Sequence, residues 1–206
     1  MRILLIGPPA SGKGTVGRLL GNYLNIPVLS VGKYLRSVPK EHEHYEMIND
    51  VMRKGELVPN HILGKMLDEE IQDSRYENGV IIEGWLRQIS DLDYFDPKPD
   101  YALLLNVSKE TSKYRILNRR VCKEQGHTYN LTFNPPKEDG LCDIDGSELT
   151  IREDDNEEIL EKRWKIHEET TIKTIDHFRK LGKLIDVSTE ETPDKIFEDI
   201  KKKLSI

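Results

Sequence analysis

Lys13 stands in the run Gly7-Pro8-Pro9-Ala10-Ser11-Gly12-Lys13-Gly14-Thr15, directly behind the apolar residues Ile3-Leu4-Leu5-Ile6. A buried strand entering a glycine-rich turn and then a helix aims backbone N–H groups at phosphate. Pro9, Ala10, Ser11, Gly12, Lys13, Gly14 and Thr15 are therefore the candidate phosphate ligands. Glycines let the chain approach the anion closely, and Lys13 brings a point charge to its outer oxygens. The strict loop pattern has a hydroxyl residue immediately after the lysine; here Gly14 intervenes and Thr15 supplies the hydroxyl. Phosphoryl transfer needs in-line positioning and positive charge, and little covalent help. The further cations for it are Arg115 and Arg119 at the edge of an insertion, Arg152 that closes it and Arg163 in the next helix, whose planar forks suit phosphate oxygens better than lysine does. Arg115 and Arg119, four apart, are expected on one helix face.

The elements that must hold these groups read as an α/β chain. Strands are expected at residues 3–6, 28–29, 80–82, 101–107 and 184–187, with helices between them. That rhythm predicts a five-stranded parallel sheet with helices on both faces. Val16, Leu19, Leu20, Tyr23 and Leu24 form the inner stripe of the first helix, and Ser108 and Thr192-Pro193 start later ones. One long helix is expected after Asp155, with that carboxylate as its cap and a stripe of Leu160, Trp164, Thr171, Ile175 and Phe178. Residues 32 to about 75 read as helical and polar, interrupted at 55–59. Residues 121–151, punctuated by Gly126, Asn134-Pro135-Pro136, Gly140 and Gly146, break the rhythm as a small β-rich insertion.

Composition narrows the class. The 206 residues are enough for one domain with a sizeable core. A formal charge of −6 argues against general nucleic-acid binding, so a phosphate ligand has to be drawn by local clustering of cations. No apolar run is long enough to span a bilayer or to act as a signal peptide. Two cysteines make no disulfide framework, and a cytoplasmic, monomeric protein is expected.

The order of motifs resembles the adenylate kinase family over essentially the whole chain. The phosphate loop is followed by Leu29-Ser30-Val31-Gly32-Lys33-Tyr34-Leu35-Arg36, Gly55-Glu56-Leu57-Val58-Pro59 and Gly84-Trp85-Leu86-Arg87. Asn118-Arg119-Arg120, Phe133-Asn134-Pro135-Pro136-Lys137 and Arg152-Glu153-Asp154-Asp155-Asn156 come next, in the long-lid order. The resemblance implies a P-loop three-layer fold and the reversible reaction ATP plus AMP giving two ADP, with magnesium. It implies a core of residues 1–29, 60–120 and 153–206, a helical NMP-binding insertion at 30–59 and a lid at 121–152. Arg119, Arg152 and Arg163 would clamp the phosphates from the lid side, with Arg115 near the ATP base. Arg36 and Arg87 would hold the acceptor phosphate. Val31, Glu56, Leu57, Val58, Gly84 and Asp91 would line the acceptor nucleotide, and Asp154 and Asp155 would bond within the closed site. Thr15 and Glu83 would meet magnesium indirectly.

Several matched positions depart from the pattern. Glu83 replaces the usual aspartate before the Gly-Trp turn, and Lys33 replaces another, removing one metal-water contact. Val31 replaces a threonine and Asp91 a glutamine that reads adenine. An ionised Asp91 only accepts hydrogen bonds and would suit guanine's donors, so GMP or a relaxed choice of acceptor is the alternative to AMP. The competing expectation is that Gln88 or the backbone of residues 55–58 reads the base. Trp85 is either a wall against the acceptor base or core. Cys122, Cys142 and Asp145 stand where zinc-bearing members carry ligands, but Gln125 breaks the set and His127 is the substitute. A metal-free hydrogen-bonded cluster is the favoured expectation there. His42 and His44 carry no functional expectation, and His61, His167 and His177 are expected on helix surfaces or edges. A P-loop kinase of small metabolites ranks below these readings, lacking a reason for paired Arg36 and Arg87. A non-catalytic nucleotide sensor would be motivated by Lys33 and Glu83 and is opposed by the retained cations.

Overall fold

A computed structural model describes every residue from 1 to 206. Its centre is β1 (Arg2–Ile6), in which Ile3, Leu4, Leu5 and Ile6 are all buried. A strand covered on both faces has no polar side to present, which is why the run is apolar without alternation. β2 (Val28–Ser30), β3 (Val80–Glu83), β4 (Tyr101–Asn106) and β8 (Leu184–Ser188) join it in the order β2-β3-β1-β4-β8, every pairing parallel. The expected five-stranded parallel sheet is the one observed.

Alternation along the strands divides the core in two. Leu4, Ile6, Val80, Ile82, Ala102 and Leu104 belong to a cluster of 21 buried residues on one face. Ile3, Leu5, Ile81, Leu103 and Leu105 belong to a cluster of 11 on the other. The second face is covered by α1 (Lys13–Leu24), through Val16 and Leu20, and by α8 (Pro193–Leu204), through Ile196, Ile200 and Leu204. Tyr23 departs from the expected stripe: it is exposed and meets Phe197 edge-on. The first face is covered by α4 (Asn60–Glu70) and by α7 (Ile172–Lys180), through Ile175 and Phe178.

Between β2 and α4 the chain is not continuously helical. α2 (Val31–Arg36) and α3 (Tyr45–Arg53) are separated by a non-helical stretch containing Pro39, and His42 Nδ1 accepts a bond from the His44 N–H there. α5 (Lys109–Leu117) starts at the Ser108 cap, whose hydroxyl accepts from Thr111 N–H. It ends before Arg119, which begins β5 (Arg119–Cys122). Arg115 and Arg119 therefore do not share a helix face, because the chain leaves the helix at Asn118 to pair with β6 (Thr128–Asn130). β7 (Leu149–Thr150) completes an antiparallel three-stranded sheet, as the β-rich insertion required.

The long helix is three pieces. α6 (Glu157–Ile166) passes through a π-helical turn at His167–Thr171 into α7. Its cap is Asn156, which accepts from Ile159 N–H, and not Asp155, whose carboxylate is engaged by Arg119. No helix is long and apolar enough to cross a membrane.

Candidate active site

The phosphate-loop residues sit where β1 ends and α1 begins. A Cβ on Gly7 would lie 2.5 Å from the Leu105 carbonyl oxygen, and Gly12 has φ 87°, so both positions need glycine. Lys13 Nζ donates to the carbonyls of Gly7 (2.9 Å) and Pro8 (2.7 Å) and to Ser11 Oγ (3.3 Å). Burial, then Arg87, lowers its pKa to about 7, although Glu83 opposes the shift. Glu83 closes β3 with Oε1 accepting from the Ser30 hydroxyl, and a Cβ on Gly14 would stand 3.9 Å from that same oxygen. Thr15, next in sequence to Gly14, is half-buried in the first turn of α1. Lys33 lies exposed on α2.

Four arginines are organised by two aspartates. Asp154 Oδ2 accepts from Arg163 at 2.6 Å and from Arg36 at 3.0 Å, while Arg152 Nε lies 3.7 Å from Oδ1. Burial works against the Asp154 charge, but Arg152, Arg163 and Arg36 overcome it and hold the carboxyl well below the usual range. Arg119 forks onto Asp155, with Nε at 2.7 Å from Oδ2 and a second bond to Oδ1. Arg152 is lowered to about 10 by burial, then by Arg119 and Arg36, so these cations feel one another. Arg87 has no carboxylate partner; burial, then Arg163, lowers its pKa. Hydroxyls of Thr170 and Thr171 both donate to its carbonyl at 2.9 Å, fixing its backbone to the π-helical turn.

Arg115 stands apart from this group. It donates to the carbonyls of Thr189 and Ala10, and the Phe133 ring lies 5.6 Å from its guanidinium carbon. Pro9 is tied through its carbonyl to the Ser112 hydroxyl (2.7 Å), which accepts in turn from Trp164 Nε1 (3.0 Å). Ser11 is fully buried beneath the loop.

On the acceptor side, Val31 and Val58 are buried in the larger apolar cluster, Leu57 is half-buried and Glu56 is exposed. Gly84, with φ 89°, would carry a Cβ 3.4 Å from Val31. Asp91 is only 3% exposed, and its Oδ2 accepts from the backbone N–H groups of Arg87 (2.9 Å) and Gln88 (3.1 Å). It caps the turn that carries Arg87. Trp85 is core: it is buried and donates to the Phe95 carbonyl at 3.0 Å.

In the insertion, Cys122, His127, Cys142 and Asp145 offer ligand atoms that all lie within 4.8 Å of one another. Cys122 Sγ is 3.1 Å from Asp145 Oδ2, and His127 Nδ1 is 3.3 Å from both that oxygen and Cys142 Sγ. Gln125 contributes only its backbone N–H, to Cys122 Sγ.

One residue at the centre was not expected there. His167 lines the cavity with Gly7, Lys13, Gly84, Arg87 and Arg163. Its place one helical turn beyond Arg163 was the available signal, since residues four apart share a helix face.

The adenylate kinase family model matches residues 5–183. An adenylate kinase of Rickettsia africae (strain ESF-5) is 33% identical over 211 residues, covering 100% of both chains. One of Thermosipho melanesiensis is 33% identical over 208 residues and 97% of each chain. One of Pseudothermotoga lettingae is 33% identical over 212 residues, covering 99% of this chain and 98% of its own. A glycine loop at the carboxyl end of the central strand, backed by interacting arginines in a chain matched along its whole length by these relatives, leaves one conclusion: the chain belongs to the adenylate kinase family.

Proposed function

We propose that this chain catalyses reversible phosphoryl transfer from ATP to AMP, giving two ADP. The observation that carries the reading is the convergence of Lys13, Arg36, Arg87, Arg119, Arg152 and Arg163 on one region of a protein whose net charge is −6. Cations at such density are costly without an anion to neutralise, and nucleotide phosphates are that anion. Pro9 to Thr15 would bind the donor phosphates, with Lys13 directed at the transferring group. Arg36 and Arg87 would hold the acceptor phosphate, and Arg119, Arg152 and Arg163 would stabilise charge on the transferring oxygens. Asp154 and Asp155 orient those arginines before substrate arrives. Arg115, with Phe133 over it, would face the donor base.

Residues 121–152 would act as a lid and 30–59 as the acceptor arm, closing over a core of 1–29, 60–120 and 153–206 to exclude water. Magnesium would fit the corner where the Glu83 carboxylate faces Gly14, with the hydroxyl of the adjacent Thr15 as a second hard oxygen beside the loop. Bound with ATP, it would neutralise charge on the phosphates; Ser30 holds the Glu83 carboxylate toward that corner.

AMP is the acceptor this reading favours. Asp91 is committed to the backbone, which removes the ground for guanine recognition through it. A coupled assay with AMP, GMP, CMP and UMP tests the choice: turnover with AMP at least about tenfold above the others is expected. ATP binding without ADP formation from any monophosphate would mark a sensor instead.

The lid cluster supports a second assignment, structural zinc on Cys122, His127, Cys142 and Asp145. Tetrahedral zinc with bonds of about 2.0–2.3 Å places neighbouring ligands roughly 3.3–3.8 Å apart. Three pairs at 3.1–3.3 Å are close to that spacing. His127 fills the place that Gln125 cannot. Metal analysis of purified protein should find one zinc per chain, lost in Cys142→Ser; a metal-free native protein refutes it.

A further inference from the structure

His167 has features that the phosphate clamp does not explain. It sits in the π-helical turn between α6 and α7, half-buried, with its ring edge-on to Trp164 at 6.0 Å between centroids. It lines the central cavity opposite Lys13 of α1, Arg87 of the loop after β3, and Arg163 of α6. Its ring nitrogens make no bond within the protein, yet the one buried polar side-chain atom lacking a partner is Thr174 Oγ1. The imidazole is therefore open to the cavity. Among the carboxylates around the site, Glu83 is bonded to Ser30, Asp91 to the backbone and Asp154 to Arg163, while Glu168 and Glu169 of its own turn are exposed.

We propose that His167 is a phosphate-contacting residue that takes up a proton from solvent as nucleotide enters the cavity. The inference rests on the cavity being the phosphoryl-transfer cleft. Burial, then Lys13 and Arg87, lowers the His167 pKa to about 4, so the imidazole is neutral at physiological pH. Nucleotide phosphates bring several negative charges against these cations. They offset the repulsion from Lys13 and Arg87, and their oxygens accept from its N–H groups, which compensates the burial that disfavours the charged ring. A bound value returned to about 6.5, the ordinary one, makes binding about tenfold tighter at pH 5.5 than at pH 8 through this group alone.

The sign is determined by linkage. A group whose pKa rises on binding favours binding below its bound pKa and loses that contribution as pH rises through it. The nucleotide's own phosphate titrates in the same range, but equally for native protein and a His167 variant, so their difference isolates the histidine.

The test is ADP binding by calorimetry, near pH 6 in two buffers of unequal ionisation heat, for native protein and His167→Gln. The native protein should take up about half a proton more than the variant, or more. Its ADP affinity should gain about tenfold more than the variant's between pH 8 and pH 5.5. Identical proton uptake and parallel pH profiles overturn the proposal. Imidazole titration of the native protein by NMR decides the case if the variant does not fold: the midpoint should move from near 4 to above about 6 on saturation with ADP, and an unmoved midpoint refutes it. A coupled ATP and AMP assay on the same preparation keeps the two readings separate. Turnover without His167-linked protonation sinks this inference alone, whereas absence of both ADP binding and turnover sinks the phosphoryl-transfer reading with it.

Discussion

Around the parallel sheet, apolar clusters of 21 and 11 buried residues hold the strands from both sides, whereas the lid sheet encloses a cluster of four. Two of those four are Cys122 and Cys142, whose sulfurs also cluster with the ligand atoms of His127 and Asp145. The sheet core is held chiefly by burial of these two large apolar clusters. The lid has no cluster of that size, and so depends on polar cross-links among a few side chains. That division would suit the proposed roles, an insertion that moves against a core that does not. Closure of residues 121–152 as the proposed lid would leave the large cores untouched, and the insertion would keep its own shape through contacts that travel with it.

The largest expected effect separates chemistry from folding within the core. Lys13→Ala should lower turnover in a coupled assay by about 10²–10³-fold. Its melting temperature should hold or rise, since the native charge is already disfavoured by burial and by Arg87. A large fall in melting temperature would recast Lys13 as a structural residue. Leu105→Ala, at a fully buried position, should cost about 2–5 kcal/mol in denaturant unfolding. Leu149→Ala in the lid should leave that main transition in place and instead speed amide exchange between residues 119 and 150. Equal loss of the main transition in both variants would erase the distinction between the regions.

The arginine forks join the two regions, and Asp155→Asn probes that join. Arg119 and Asp155 are little exposed, so losing the charge should cost about 1.5–3 kcal/mol. Thermal unfolding reads that cost, and a reduced kcat with intact ATP binding would show that Arg119 has lost its aim. The smallest effect is acid sensitivity at Asp154. Asp154 is held below its ordinary value, so its contribution is fully present above about pH 4 and is lost as pH falls through the folded pKa. Asp154→Asn should flatten the stability profile below about pH 4 compared with the native protein, measured by urea unfolding. A variant profile parallel to the native one would mean the three arginines do not act on this carboxylate.

The phosphate loop was legible in the sequence because strand, turn and helix are contiguous, and each is specified by local residue chemistry. The sheet was legible for a similar reason: continuous apolar runs mark strands covered on both faces. Asp155 shows where locality failed. Beside Asn156 it reads as a helix cap, yet Arg119, 36 residues away, claims the carboxylate and leaves capping to its neighbour. Asp91 was read as a base contact from its position in a motif. Its side chain turns inward because the loop carrying Arg87 has backbone N–H groups that need an acceptor.

By itself, then, the sequence determined the phosphate loop, the five parallel strands, the β-rich insertion and the list of cations, all of which follow from patterns within a few residues. Tertiary structure decided which partners those groups took. It gathered Arg36, Arg152 and Arg163 on Asp154, brought His127 to Cys122, Cys142 and Asp145, and turned His167 into the central cavity. The physical reason is range. Backbone geometry and burial pattern are set by neighbours along the chain, whereas a charge or a ligand atom responds to whatever the fold brings within a few ångströms.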